Sequence, residues 1–232
     1  MSKILVLCSG GLDSTVLLHR AVKLEGSDQV VALNMFYGQK HAKEQEYANW
    51  QTKHLGVQLL NADLSEVFKF NKDCSALLSG SKMDIVHKSY AEQLQDLGGS
   101  GTVTAYVPYR NGLFLSYAAA VALQLGCDVV YYGAHADDAA GRAYPDCTPG
   151  FIESQISAIW RGTGEKVDMC APWWDMNKAA IVEYGLNRIN MTHEEFEHTW
   201  SCYEGGDIPC GSCGTCIDRK AAFEANNIYD IM

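Results

Sequence analysis

Ile4-Leu5-Val6-Leu7-Cys8-Ser9-Gly10-Gly11-Leu12-Asp13-Ser14-Thr15-Val16-Leu17-Leu18 is the stretch that decides the fold. Its first five residues form an unbroken apolar run, as a strand buried on both faces of a parallel sheet requires. Glycines follow, and then Val16, Leu17, Leu18, Ala21, Val22 and Leu24 recur at helical spacing. The unit reads as strand, glycine turn, helix. Outward from it the alternation continues. Val30 to Phe36 and Val57 to Leu60 read as strands around an amphipathic helix from Ala42 to Leu55. Asn111 to Leu125 reads as an apolar helix closed by Gly126 at its C-cap, and Asp128 to Gly133 as another buried strand. Phe151 to Arg161 is an expected helix, Val167 to Ala171 a short strand and Lys178 to Arg188 a helix. This pattern specifies an α/β fold, a doubly wound, mostly parallel sheet with helices on both faces. Between Ser65 and Thr104 the periodicity weakens into polar, Gly- and Ser-containing sequence, expected to be an insertion that is part helix and part mobile loop. The expected division is residues 1–198 for the α/β domain and 199–232 for a cysteine-bearing cap, too short to fold alone without a staple.

Composition narrows the function classes. In 232 residues, 18 Lys and Arg face 28 Asp and Glu, a formal charge of −10. That balance argues against a broad nucleic-acid surface, which is usually basic, but leaves room for an anion held at a small backbone-built site. The 47% hydrophobic fraction excludes a disordered chain. No apolar run approaches the roughly 20 residues of a membrane helix. Met1-Ser2-Lys3 and the short run after it lack a signal-peptide cleavage pattern, so a cytoplasmic protein is expected.

The loop between the first strand and helix carries chemistry. Two adjacent glycines let the backbone approach a phosphate, and the free N–H groups of the helix start, with the hydroxyls of Ser9, Ser14 and Thr15, can hold it. Asp13 is suited to organising the loop or holding Mg²⁺. A Walker A lysine is absent, and the spacing is not that of a dinucleotide-binding fingerprint. An ordinary Ser/Asp cap behind a glycine turn is the bland alternative for an isolated Ser-Gly-Gly. Seven residues in the right context go further: Ser9-Gly10-Gly11-Leu12-Asp13-Ser14-Thr15 resembles the PP-loop of the ATP pyrophosphatases. In that family the loop grips the pyrophosphate of ATP while a substrate oxygen attacks the α-phosphate. Gly133-Ala134-His135-Ala136-Asp137-Asp138 is similar to a second segment of those enzymes, and Lys178 to a later lysine near the nucleotide. The plain readings of these two are a polar turn and a solvated helix lysine.

Nine cysteines, an odd number, suggest a reduced protein. Cys8, Cys74, Cys127, Cys147 and Cys170 are scattered. Cys202, Cys210, Cys213 and Cys216 crowd into a glycine-rich stretch at a spacing that suits four thiolates around one tetrahedral Zn²⁺ in a closed, structural site. A redox pair and an iron–sulfur cluster are the competing readings. His193 and His198 imitate a zinc-protease helix but stand five residues apart, about 500° around the axis, off a common face. Asn190-Met191-Thr192 fits a glycosylation sequon without secretory context.

Phe36-Tyr37-Gly38-Gln39-Lys40-His41, Val107-Pro108-Tyr109-Arg110-Asn111, Tyr144-Pro145-Asp146-Cys147 and the cysteine cluster occur in this order behind the loop. Together they closely resemble the 7-cyano-7-deazaguanine synthase family, over nearly the whole chain except residues 65–104. The resemblance implies a ligase that adenylates 7-carboxy-7-deazaguanine with ATP and Mg²⁺, lets ammonia displace AMP, then activates the amide with a second ATP to leave the nitrile. It implies ATP binding by Cys8, Ser9, Gly10, Gly11, Leu12, Asp13, Ser14, Thr15, Gly133 and His135, with Asp13, Ser14, Arg110 and Lys178 serving the chemistry. Tyr37, Arg110, Asn111, Tyr144 and Asp146 are implied for the substrate: Arg110 as a fork for its carboxylate or a phosphate, Asp146 for the guanine-like N–H edge, Tyr37 or Tyr144 stacked on the ring. A homodimer without direct nucleic-acid or membrane binding is implied too. Two departures stand out. Tyr109 occupies a position where many relatives have Gly, and the loop before Tyr144 is longer. They leave open an enzyme that stops at 7-amido-7-deazaguanine, or a ligase acting on another carboxylate.

Overall fold

The computed structural model describes residues 2–229. Five strands, Ile4–Leu7 (β1), Val30–Phe36 (β2), Gln58–Asp63 (β3), Val129–Tyr131 (β4) and Asp168–Cys170 (β5), form one parallel sheet in the order β3-β2-β1-β4-β5. β1 lies at the centre, paired in register from Ile4 to both Val30 and Val129. Its alternate side chains enter two cores: Leu5 points to one face of the sheet, Ile4 and Val6 to the other. All three are at most 1% exposed. Burial on that scale stabilises by roughly 1.5–3 kcal/mol per side chain, which is why an apolar run with no polar face becomes the central strand.

Leu12–Glu25 (α1), Lys178–Arg188 (α7) and Gly214–Glu224 (α9) cover the Ile4 face, where Leu17, Ile181 and Phe223 pack together. Lys43–Leu55 (α2) adds Ala48 to the same core. Arg110–Leu125 (α4) and Pro149–Gly162 (α6) cover the Leu5 face through Leu115, Ala118, Ala122, Ile152 and Ile159. The helix expected from Asn111 begins one residue earlier, at Arg110, and ends at Gly126 in the left-handed conformation, φ 65°. β4 is shorter than expected: Tyr132 still donates its N–H to the Cys170 carbonyl at 2.9 Å, but it and Gly133 turn to line a cleft. β3 runs on to Asp63, its polar residues being tolerable at a half-exposed edge.

The 65–104 stretch holds turns of 3₁₀ helix at Ser65–Phe68 and Lys72–Cys74 and one short helix, Tyr90–Asp96 (α3). Ser89 and Glu92 cap α3 reciprocally. Between its turns the stretch sends Leu77, Leu78, Ile85, Tyr90, Leu94 and Val103 into the core on the Leu5 face. The remaining short helices are Ala136–Ala139 (α5) and His193–Glu197 (α8). The C-terminal residues reach both faces: Trp200, Cys202, Cys213 and Cys216 join one core, Ala222, Phe223 and Ile228 the other. Among the described residues, no helix is long and apolar enough to cross a membrane.

Candidate active site

The strand order reverses direction at β1, between β2 and β4, so the carboxyl ends of β1 and β4 open a crevice that two separating connections cannot fill. A cavity of about 230 Å³ occupies this crevice. Cys8, Ser9, Gly11, Leu12, Asp13 and Ser14 line one wall, and Gly133, His135, Asp138 and Lys178 stand beside them. Tyr37, Arg110, Asn111 and Tyr144 line the opposite end.

The loop is cross-braced by its own hydroxyls. Ser14 Oγ donates to the Gly11 carbonyl at 3.1 Å and accepts from the Ser9 N–H at 3.2 Å, while Gly11 N–H donates to Ser9 Oγ at 3.1 Å. The first N–H groups of α1 lack helical partners and face the cleft with the positive end of the helix dipole. Gly10 adopts φ 92°, and a Cβ there would overlap the carbonyl oxygen of Glu44. Its own carbonyl accepts from Trp200 N–H at 3.0 Å, which ties the loop to the C-terminal cap. Gly10 and Thr15 stand behind the cleft wall rather than in it, with the Thr15 hydroxyl buried and without a partner. Burial pushes the Cys8 thiol up to about 12, so it stays neutral.

Asp13 meets three groups the sequence set far away. Lys178 Nζ donates to Asp13 Oδ2 at 2.7 Å and lies 3.2 Å from His135 Nε2. His135 Nε2 is also 3.4 Å from Asp138 Oδ2. Burial opposes the charge on Asp13, but Lys178 and His135 outweigh it and hold the carboxyl below its ordinary range. Burial likewise opposes charging Lys178, and Asp13 more than compensates, raising it. Burial also opposes charging His135, which Asp138 more than offsets. The lysine therefore carries its charge into a confined site. It is held there from both ends, since the backbone N–H of Lys178 donates to Asp137 Oδ2 at 2.8 Å.

At the far end, Arg110 Nη1 donates to the Tyr37 hydroxyl at 3.0 Å, and the guanidinium stacks over the Tyr37 ring at 4.9 Å. Burial opposes its charge, yet the surrounding Tyr37 and Asp146 raise its pKa further, so it remains a cation. Asp146 is buried behind this wall and outside the cavity lining; its carboxylate accepts the Asn111 N–H at 3.0 Å and so caps α4. Asn111 Nδ2 in turn donates to Cys147 Sγ at 3.4 Å. Tyr144 lines the cavity and shares a three-hydroxyl cluster with Tyr90 and Tyr203, at 2.8, 2.8 and 3.3 Å. Tyr109 takes a left-handed φ of 54° and is exposed outside the cavity. Tyr109 therefore contributes no lining to the cleft.

Several lining residues carried no sequence signal. Tyr90 lies in the weak 65–104 stretch, Tyr203 in the cysteine loop and Glu44 at the start of α2. Only the His41-x-x-Glu44 spacing after the Phe36–His41 motif could have drawn attention to the last. Burial pushes the Glu44 carboxyl up to about 7, partly countered by Arg110.

The sulfurs of Cys202, Cys210, Cys213 and Cys216 all lie within 4.8 Å of one another. A tetrahedral Zn²⁺ with Zn–S bonds near 2.3 Å needs sulfurs about 3.8 Å apart, so a small contraction completes the shell. This set can hold a metal ion such as zinc. Tyr203 and Thr215, neighbours of two of these cysteines, line the cavity, so the metal loop forms one of its walls.

A glycine loop at the switch point of a parallel sheet, facing a confined lysine and carboxylates, defines a doubly wound α/β protein with a candidate anion site beyond the carboxyl ends of its strands. Residues 3–227 match the family model described as queuosine biosynthesis protein QueC. The chain is 39% identical over 229 residues to 7-cyano-7-deazaguanine synthase of Archaeoglobus fulgidus, covering 98% of this chain and 88% of the relative. It is 36% identical over 233 residues to 7-cyano-7-deazaguanine synthase 1 of Colwellia psychrerythraea, covering 98% and 96%. The chain belongs to the QueC family of queuosine biosynthesis proteins.

Proposed function

We propose that the protein is an ATP-dependent carbon–nitrogen ligase that converts 7-carboxy-7-deazaguanine and ammonia to 7-cyano-7-deazaguanine, releasing AMP and pyrophosphate. The observation that carries the reading is the arrangement of one cleft. Its phosphate loop and Lys178 stand at one end, Arg110 and Tyr37 at the other. The relatives' name, 7-cyano-7-deazaguanine synthase, supports 7-carboxy-7-deazaguanine as the acid.

Each end of the cleft has its own task in such a ligase. The N–H groups of α1 with Ser9 and Ser14 hold the departing pyrophosphate, and Lys178 neutralises charge that develops at the α-phosphate. Asp13 and Asp138 suit Mg²⁺, since Asp13 Oδ1 is buried with no hydrogen-bond partner. The ion would supply positive charge to the phosphates. Arg110, whose fork no carboxylate among the described residues matches, holds the substrate carboxylate, and the Tyr37 and Tyr144 rings face the base. The carboxylate attacks the α-phosphorus and pyrophosphate leaves; ammonia then attacks the acyl adenylate and AMP leaves. The amide oxygen repeats the first attack on a second ATP as one N–H proton is lost to solvent, and loss of AMP with the remaining N–H proton leaves the nitrile. Most of the rate comes from positioning and charge stabilisation.

In the same proposal, residues 199–232 are a cap that folds on the 1–198 domain around Zn²⁺. The protein is a cytoplasmic homodimer acting on a free base, not on nucleic acid, a view its charge of −10 favours. The test is incubation with ATP, Mg²⁺, ammonium and 7-carboxy-7-deazaguanine, with products read by mass spectrometry. Nitrile and AMP are the expected products. Amide alone would mean an enzyme that stops one step earlier, and no AMP from metal-loaded protein would refute the reading.

A further inference from the structure

Both nitrogen steps of this reaction shed protons, and the residues assigned so far supply none of the relief. Ammonia that has attacked the acyl adenylate carries an N–H⁺ that must be removed before the C–O bond to AMP breaks productively. Nitrile formation removes the last N–H of the adenylated amide as its C–O bond breaks. A base for both must reach the point between the phosphate loop and Arg110, where the reacting carbon sits.

Among the ionisable groups lining the cavity, Asp13, His135, Asp138 and Lys178 neutralise one another at the phosphate end. Arg110 is a cation and Cys8 is neutral. Glu44 differs from all of these. Its backbone packs against Gly10, where even a methyl group has no room, so α2 is locked onto the phosphate loop. Its Oε1 lies 3.9 Å from the Cβ position of Gly11. On its other side it feels the charge of Arg110. Among the described residues, no hydrogen bond or ion pair engages its carboxylate, while it lines the cavity. A carboxylate confined between a loop and a guanidinium, yet spent on neither, is available to substrate.

We propose that Glu44 is the general base of both nitrogen steps, taking a proton first from the attacking ammonia and then from the adenylated amide. This rests on the ligase reading. In the first step the N–C bond forms, the ammonium proton passes to Glu44, and AMP departs with the electron pair of the C–O bond. In the second the N–H pair becomes the third C–N bond, its proton passes to Glu44, and AMP again leaves with the C–O pair. Between the two, Glu44 releases its proton to solvent through the open cleft. Burial sets its carboxyl at about 7, the range in which a base is half ready at neutral pH. The groups that face it are Arg110 from α4, Tyr37 after β2 and Cys8 after β1. Tyr37 and Cys8 stay protonated through neutral pH, so Glu44 is the one expected to titrate there.

The experiment uses the metal-loaded protein and separates adenylation from the two nitrogen steps. Exchange of labelled pyrophosphate into ATP, dependent on 7-carboxy-7-deazaguanine, reports adenylation alone and tests the ligase reading in the wild type. Glu44→Gln should keep that exchange within about threefold, while amide formation from ammonia and nitrile formation from supplied 7-amido-7-deazaguanine both fall by at least about 100-fold. The rising limb of the wild-type pH profile near neutrality should vanish, and Glu44→Asp should recover part of the lost rate. Wild-type amide and nitrile rates in Glu44→Gln would overturn the proposal, as would loss of exchange together with everything else. Absence of exchange in the wild type would instead remove the ligase reading beneath it.

Discussion

Gly10→Ala perturbs the contact that fixes the phosphate loop against α2. Two costs arise. A residue with a Cβ is strained at φ 92°, by roughly 1–2 kcal/mol. The new methyl would overlap the Glu44 carbonyl oxygen and sit 2.7 Å from Ala48 N, about 0.7 Å inside the 3.4 Å limit of ordinary contact. Forcing a packed helix outward by at least that amount costs a further ~1–3 kcal/mol. The sum is about 2–5 kcal/mol, which for a chain of this size lowers Tm by roughly 10 °C. Gly26→Ala is the control. Gly26 shares a positive φ of 87° but has nothing within 4 Å of its missing Cβ, so it bears the backbone cost alone. Urea denaturation followed by tryptophan fluorescence measures both variants, and ATP-dependent AMP release measures the displaced loop. Equal destabilisation of the two variants, or a Gly10→Ala protein within about 0.5 kcal/mol of wild type, would refute the packing argument.

Asp13→Asn strips Lys178 of its closest counter-charge; because Asp138 remains nearby, the expected loss is about 2–3 kcal/mol in urea melts at pH 7, with AMP release abolished. Asp13 is more acidic folded than its ordinary 3.8, so this difference should persist above that pH and fade as acid protonates the folded carboxylate. Glu44 has the opposite sign. Its carboxyl rises from 4.5 to about 7 on folding, so the folded chain holds a proton that the unfolded chain releases, and stability falls as pH rises through this window. Glu44→Gln should therefore be more stable than wild type at pH 8, by at most about 3 kcal/mol less solvent screening, and show no excess at pH 4. Stripping the metal with a chelator, or Cys213→Ser, should loosen the cap and end AMP release while the sheet's circular dichroism persists. A fully active metal-free protein would contradict the shared wall.

Strands with both faces buried announce themselves as apolar runs, so β1 and β2 are readable to within a residue. The glycine loop after β1 is readable for a related reason: its backbone N–H groups, hydroxyls and glycines are consecutive in the chain. The four cysteines share that locality. What the sequence hides is anything assembled across the fold. Asp13 and Lys178 are 165 positions apart and become partners only when α7 docks beside α1. Tyr90, Tyr144 and Tyr203 each resemble ordinary core aromatics until three hydroxyls converge. The 65–104 stretch buries Leu77, Leu78 and Val103 from turns rather than from helices or strands, and irregular backbone leaves no period to detect. Asp146 belongs to a motif, but its bond to the Asn111 N–H depends on where α4 begins.

The tie between Trp200 and Gly10 joins two turns that lie 190 residues apart in the chain. A nascent chain can pair β1 with β2 early, because only α1 separates them. The crevice stays open on one side until Ser201, Tyr203 and Thr215 leave the exit tunnel and fold back across 190 residues. Contacts of such sequence separation form slowly, since the loop they close must be ordered before it is rewarded. The crevice is thus finished only once the cysteine loop has folded back against it.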